Sequence, residues 1–249
     1  MEMVDRGDGV RQASEHQPGR TPTVVFLPGF RSTMGGEKAA TLAEWCARGG
    51  RAMLRLDYSG HGQSEGRFAD GTIGRWAADA AFLLDRVQGP VVLVGSSMGG
   101  WIALLLALGR PGRVAALVGV AAAPDFTEAL MWEAMAPQER EALRRRGVLE
   151  VPSGYGAFPL TWRLIEEGRE HLLLGGAVAL RCPVRLLHGM ADAEVPWETA
   201  TRLAARLASS DVQVTLVKDA THRFSRPQDL ALLIRTVEEV VADAQECFT

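Results

Sequence analysis

Val91-Val-Leu-Val-Gly95-Ser96-Ser97-Met98-Gly99-Gly100-Trp101 is the stretch that decides the fold. Val91 to Val94 read as a buried strand and Gly99 to Leu108 as an apolar helix, so Gly-x-Ser-x-Gly falls at a strand-to-helix junction. A turn that sharp strains the serine backbone, and Gly95 and Gly99 let the two arms approach without side-chain collision. Ser97 is thereby presented at the carboxyl edge of a sheet, where it can act as a nucleophile. Ten serines and 27 glycines in 249 residues give roughly 0.1 chance matches to the pattern, so its setting carries more weight than its letters.

Outward from this junction the chain alternates. Short apolar runs at Thr23 to Leu27, Arg51 to Asp57, Ala115 to Val120, Val184 to Leu187 and Val212 to Val217 predict further strands. Between them, Glu37 to Arg48, Ile73 to Val87, Glu198 to Ala208 and Gln228 to Ala244 are apolar on a three-to-four period and predict helices. That rhythm predicts an α/β fold, a mainly parallel doubly wound sheet with helices on both faces. It breaks at about residues 125–180, where a charged helix (Glu133 to Arg146), a short strand (Val148 to Val151) and a helix within Phe158 to Leu174 predict a small lid insertion. Residues 1–20 carry Glu2, Asp5, Asp8 and Glu15 with no apolar stretch and are expected to be a flexible polar tail, leaving 21–249 as a single domain.

Composition excludes several classes of function. With 27 Lys+Arg against 30 Asp+Glu, the formal charge of −3 offers no footprint for nucleic acid, and Arg144-Arg145-Arg146 reads as a solvated helix face. The apolar stretches Trp101 to Leu108 and Val114 to Ala123 fall short of the roughly 20 residues of a membrane span. Cys46, Cys182 and Cys247 are odd in number and widely spaced, which argues against disulfides or zinc and predicts a cytoplasmic location. The loop Asp57-Tyr58-Ser59-Gly60-His61-Gly62-Gln63-Ser64 lacks both phosphate-cradling patterns. Asp57 and Ser64 are instead expected to hydrogen-bond the loops that carry the nucleophile and the oxyanion donors, with His61 behind the site.

A serine needs a base to take its proton and a carboxylate to orient that base. Among five histidines, only His222 follows the last strand and lies downstream of both serine and acid, in the chain order Ser, Asp, His. Asp192 follows the next-to-last strand, with Asp125, Glu194 and Asp219 as rivals. The oxyanion of acyl transfer needs main-chain donors: the Met98 N–H at the helix start and the Phe30 N–H in Leu27-Pro28-Gly29-Phe30. Met131, Trp132, Met135, Phe158 and Trp162 are candidates for an acyl pocket, although each could equally pack the lid onto the sheet. Arg140, Arg144 to Arg146, Arg163 and Arg169 could face an anionic leaving group or simply solvent.

Together these segments resemble the α/β-hydrolase superfamily. Pro28-Gly-Phe-Arg-Ser-Thr-Met-Gly-Gly-Glu-Lys-Ala39, Asp57-Tyr-Ser-Gly60, Val94 to Trp101, Val151-Pro-Ser-Gly-Tyr155 and Cys182 to Trp197 are similar to its branch of mitochondrial palmitoyl-protein thioesterases and acyl-glucuronide esterases. The resemblance implies a Ser97–His222–Asp192 triad, oxyanion donors at Phe30 and Met98, and hydrolysis of small-molecule or acyl-protein esters and thioesters without metal or organic cofactor. The organellar presequence of those relatives has no counterpart in residues 1–20, which again favours a cytoplasmic protein. Rival expectations on the same fold are a ligand-sensing receptor or pseudoenzyme and a C–C bond hydrolase.

Overall fold

A computed structural model describes residues 1–153 and 156–247. Gly154 and Tyr155, the end of one segment that carried the resemblance, lie outside the described residues. The main sheet contains β1 (Glu2–Asp5), β2 (Arg11–Gln17), β3 (Arg20–Leu27), β4 (Arg51–Leu56), β5 (Val91–Ser96) and β6 (Val114–Val120). A separate hairpin, β7 (Val148–Val151) and β8 (Phe158–Thr161), precedes the last sheet strands, β9 (Val184–Gly189) and β10 (Val212–Val217). The α-helices are α1 (Glu37–Arg48), α2 (Ile73–Leu84), α3 (Met98–Gly109), α4 (Pro137–Arg146), α5 (Trp162–Gly168), α6 (Glu198–Ala204) and α7 (Pro227–Cys247).

The strand order is β1-β2-β4-β3-β5-β6-β9-β10, and β2 alone runs against the others. From β3 the chain passes to β4 on one side and then to β5 on the other. The order therefore reverses around β3, opening a crevice at the carboxyl ends of β3 and β5.

Period-two alternation divides the core. In β5, Val91 and Leu93 join Trp76 of α2 and Trp101 and Ile102 of α3, while Val92 and Val94 join Leu42 and Trp45 of α1 and Leu233 and Val237 of α7. Both sheet faces are thus covered, which is why β5 is apolar throughout rather than alternating. In α1, Ala39, Leu42, Trp45 and Cys46 form the buried stripe.

Residues 1–20 correct the sequence reading: they are not a flexible tail, because β1 and β2 extend the sheet. Their stability comes from groups a hydropathy pattern does not register. Main-chain pairing sets Ser14 against Leu56. Glu15 pairs with Arg55, Arg6 reaches the buried Asp79 at 2.8 Å, and the Ala13 N–H donates to Ser64 Oγ at 2.8 Å.

The insertion also departs from expectation in detail. The helix predicted from Glu133 starts at Pro137, whose missing N–H suits a first helical position. Gly147, left-handed at φ 78°, ends it. Within Phe158 to Leu174, Phe158–Thr161 pairs with β7 instead of coiling, and the Thr161 hydroxyl then caps α5 by accepting from the Leu164 N–H at 3.1 Å.

Candidate active site

The elbow is built by exclusion of side chains. A Cβ on Gly95 would lie 2.3 Å from the Gly99 carbonyl oxygen, and one on Gly99 only 2.0 Å from that of Leu27. Ser97 sits between them at φ 54° and ψ −120°, a strained geometry for a residue with a side chain. Its N–H donates to the Val120 carbonyl at 2.9 Å, and its own carbonyl accepts from Gly100 and Ala123. Those bonds fix the turn between β5, α3 and the end of β6.

Ser97 Oγ lies 3.1 Å from His222 Nε2, and His222 Nδ1 lies 2.7 Å from Asp192 Oδ2. A carboxylate only accepts, so Nδ1 carries the proton and Nε2 is left as acceptor for the serine hydroxyl. The two loops are joined: the Ala191 N–H donates to the Ala220 carbonyl at 3.0 Å, and a Cβ on Gly189 would lie 2.1 Å from that same oxygen. Phe224, fully buried at φ 46°, anchors the His222 loop in the core beneath α1 and α7.

Asp192 is shielded from water. Burial alone would raise its pKa. Hydrogen bonds from His188, His222 and the Val195 N–H outweigh that and hold the carboxyl well below its ordinary range. Its Oδ1 accepts from the N–H groups of Glu194 and Val195, each at 2.8 Å. The group therefore stays ionised through the whole range in which a histidine base operates. His188 has Nε2 3.2 Å from Asp192 Oδ2 and 3.0 Å from the Val195 carbonyl oxygen.

The rival acids sit elsewhere. Asp125 is 7% exposed and accepts from the N–H groups of Leu173 and Leu174, both at 2.8 Å, so it latches the two ends of the insertion together. Glu194 comes no nearer than 3.8 Å to His222 Nε2, and Asp219 is exposed.

Beside Ser97, the turn after β3 closes with the Ser32 N–H on the Gly29 carbonyl, and a Cβ on Gly29 would lie 3.3 Å from Ser97 Cβ. Phe30 follows Gly29 in this turn, and Met98 opens α3 directly after Ser97. Asp57 braces that loop by accepting from the Met34 N–H at 2.7 Å, and the Tyr58 hydroxyl donates to the Pro28 carbonyl at 3.2 Å. Ser64 ties β2 to the Asp57 carbonyl and does not reach the nucleophile.

A cavity of about 540 Å³ opens over Ser97 and His222. Its lining mixes apolar side chains, Phe30, Ala123, Phe126, Leu130, Met131 and Phe158, with charged ones, Arg31, Lys38, Glu194 and Arg223, and the Arg31 guanidinium lies over the Phe158 ring at 5.1 Å. Met131 and Phe158 thus reach the pocket, whereas Trp132, Met135 and Trp162 do not line it, which corrects their sequence assignment. Trp132 and Trp162 face each other at 5.3 Å, with Arg144 and Arg169 stacked over both rings. That stacking occupies Arg144 and Arg169, so the cations at the cavity belong to other segments. Lys38 donates to the Arg223 carbonyl, and burial pushes its pKa down to about 8. The sequence reading gave no role to Arg31 and Lys38, which lie in the Pro28–Ala39 segment, or to Arg223.

Among the described residues, no group of three or more His, Cys, Asp or Glu side chains could hold a metal ion, and no helix is long and apolar enough to cross a membrane.

Comparison with known proteins places this geometry in a family. Residues 20–149 match the family described as serine aminopeptidase, S33. The chain is 38% identical over 245 residues to the mitochondrial palmitoyl-protein thioesterase ABHD10 of Mus musculus, covering 97% of this chain and 82% of the relative. The chain belongs to the α/β-hydrolase family, in the ABHD10 branch. The Homo sapiens ABHD10 is 37% identical, with 97% and 80% covered. The solved structure of the mouse protein superposes with a TM-score of 0.91 at 38% identity, over 97% of this chain and 98% of that one. A putative hydrolase from Agrobacterium vitis S4 gives 0.90 at 38% identity, with 96% of both chains covered. The protein is a hydrolase on these grounds.

Proposed function

We propose that the protein is a serine hydrolase that cleaves acyl thioesters and esters through an acyl-enzyme. The observation that carries this reading is the unbroken relay from Ser97 Oγ through His222 to Asp192, at 3.1 Å and 2.7 Å. Ser97 Oγ attacks the acyl carbonyl while His222 Nε2 takes its proton, and the carbonyl electrons move onto oxygen. The Phe30 and Met98 N–H groups stabilise that oxyanion, each worth about 10²- to 10³-fold in rate. Collapse returns the proton from His222 to the departing thiolate or alkoxide, and water then releases the acid by the same steps.

Asp192 keeps the imidazole in the productive tautomer and balances its charge. The apolar residues of the cavity lining suit an acyl chain, and Arg31, Lys38 and Arg223 among them suit a polar leaving group. The palmitoyl-protein thioesterase relatives support an S-acylated protein or a similar lipid-sized thioester as the substrate class.

Steady-state hydrolysis of matched p-nitrophenyl esters and acyl thioesters from two to sixteen carbons, with an aminoacyl anilide alongside, tests the proposal. Turnover of thioesters and esters, rising with chain length and lost in Ser97→Ala, is expected. Anilide cleavage alone would point to peptidase chemistry, and stoichiometric acylation without turnover to a receptor or pseudoenzyme.

A further inference from the structure

We propose that His61 is a positioning residue: its imidazole holds the main chain of Arg31 and so fixes the neighbouring Phe30 N–H toward the oxyanion. The inference rests on the reading above, in which Phe30 supplies that donor. Arg31 N–H donates to His61 Nε2 at 3.1 Å, and His61 Nδ1 lies 3.3 Å from the Ser59 carbonyl oxygen. An N–H donor on Nε2 and a carbonyl on Nδ1 admit one tautomer, neutral, with its proton on Nδ1.

The surroundings select the same form. The ring is 4% exposed and meets Tyr58, Phe68 and Trp76 edge-on at centroid distances of 5.7, 5.2 and 5.1 Å. Burial there disfavours the imidazolium, pushing its pKa down to about 4, so Nε2 is a bare acceptor at neutral pH.

Arg31 requires such a hold. It is a non-glycine residue at φ 59°, immediately after Phe30, in a loop with no regular secondary structure to keep it there. The Phe30 ring rests on the same supports as the imidazole, Phe68 at 5.1 Å and Trp76 at 5.8 Å. On the far side the Arg31 guanidinium donates to Ser153 Oγ at 2.8 Å and to the Gly156 carbonyl at 3.1 Å, so the loop is gripped from the loop after β4 and from the lid hairpin alike. The His61 bond is made to the peptide unit that bears the Phe30 carbonyl, one unit from the oxyanion donor.

The test compares His61→Gln, whose side-chain oxygen can replace the Nε2 acceptor, with His61→Leu, which removes it; both delete the ring. His61→Leu is expected to lower kcat about 10²-fold with KM changed less than about twofold, and to weaken binding of an alkyl trifluoromethyl ketone, a tetrahedral mimic, by a similar factor. His61→Gln should recover most of both. Equal losses in the two variants, or a wild-type kcat in His61→Leu, would overturn the inference. Nitrogen-15 NMR of wild-type His61 is the second measurement and needs no variant to fold. A protonated Nδ1 and bare Nε2 at pH 7 support the proposal, and a proton on Nε2 contradicts it. Failure of the hydrolase reading looks different, since wild-type turnover would then be absent or indifferent to Ser97→Ala.

Discussion

The nucleophile elbow and the insertion over it are built on opposite terms. At the elbow, close approach of backbones leaves no choice of residue: Gly95 and Gly99 each face main-chain atoms within 2.3 Å of where a Cβ would stand. In the insertion, Gly175 and Gly176 face nothing within 4 Å, and the segment is held by separate tertiary contacts such as the Asp125 latch and the Trp132–Trp162 stack. The elbow that presents Ser97 is fixed by local sterics. The insertion that helps line the cavity is held only as far as a few side chains make it so.

The largest effect should separate the two regions outright. Gly99→Ala drives a methyl group into the Leu27 carbonyl and is expected to yield no cooperatively folded protein, while Gly175→Ala should change the unfolding free energy by less than about 0.5 kcal/mol. Comparable unfolding curves for the two variants would break the comparison.

Next come two buried carboxylates. Asp192→Asn should cut kcat by about 10⁴-fold, since the amide no longer enforces the productive His222 tautomer. Asp125→Asn should leave kcat on a short ester nearly unchanged but cost about 1 to 3 kcal/mol, because an amide nitrogen cannot accept from both Leu173 and Leu174. Kinetics and urea melts on both variants decide the matter, and a large kcat loss in Asp125→Asn would reverse the assignment.

A smaller effect is set by pH. His61 binds its proton at about 4 in the fold and near 6.5 when unfolded, so the unfolded chain takes up the proton first on acidification. The stability due to the neutral ring is complete above about pH 6.5 and is lost between about 6.5 and 4, up to about 3 kcal/mol. Denaturation of the wild type across that window should show a steeper decline than that of His61→Gln; equal slopes would refute it.

The smallest effect divides the lid aromatics. Phe158→Ala should lower kcat/KM for long acyl donors about tenfold relative to acetyl. Trp162→Ala, outside the cavity, should leave that chain-length profile in place and lower Tm by a few degrees. A profile altered by Trp162→Ala would return that ring to the pocket.

The same contrast explains what the sequence revealed. Ser97, Asp192 and His222 were legible because each sits where a strand ends, and strand order follows from short apolar runs. The Phe30 side chain was undervalued: it packs against Phe68, Trp76, Phe126 and Phe158 and so joins the loop after β3 to the lid. β1 and β2 were missed because polar strands paired through backbone and ion pairs leave no hydropathy signal. Trp132 and Trp162 were misplaced because the sequence shows their apolar character but not the arginines that cover them. His188 and Lys38 were underread for a similar reason, since their partners, Asp192 and the Arg223 carbonyl, are loop atoms whose positions only the tertiary structure sets.

The most direct test of the account is rapid-quench intact-mass analysis with a long-chain acyl thioester, followed by peptide mapping. The account predicts a burst of one thiol per chain, a mass increase of one acyl group located on Ser97, and neither in Ser97→Ala. Hydrolysis that proceeds in Ser97→Ala, or an acyl group mapped to another residue, would contradict it.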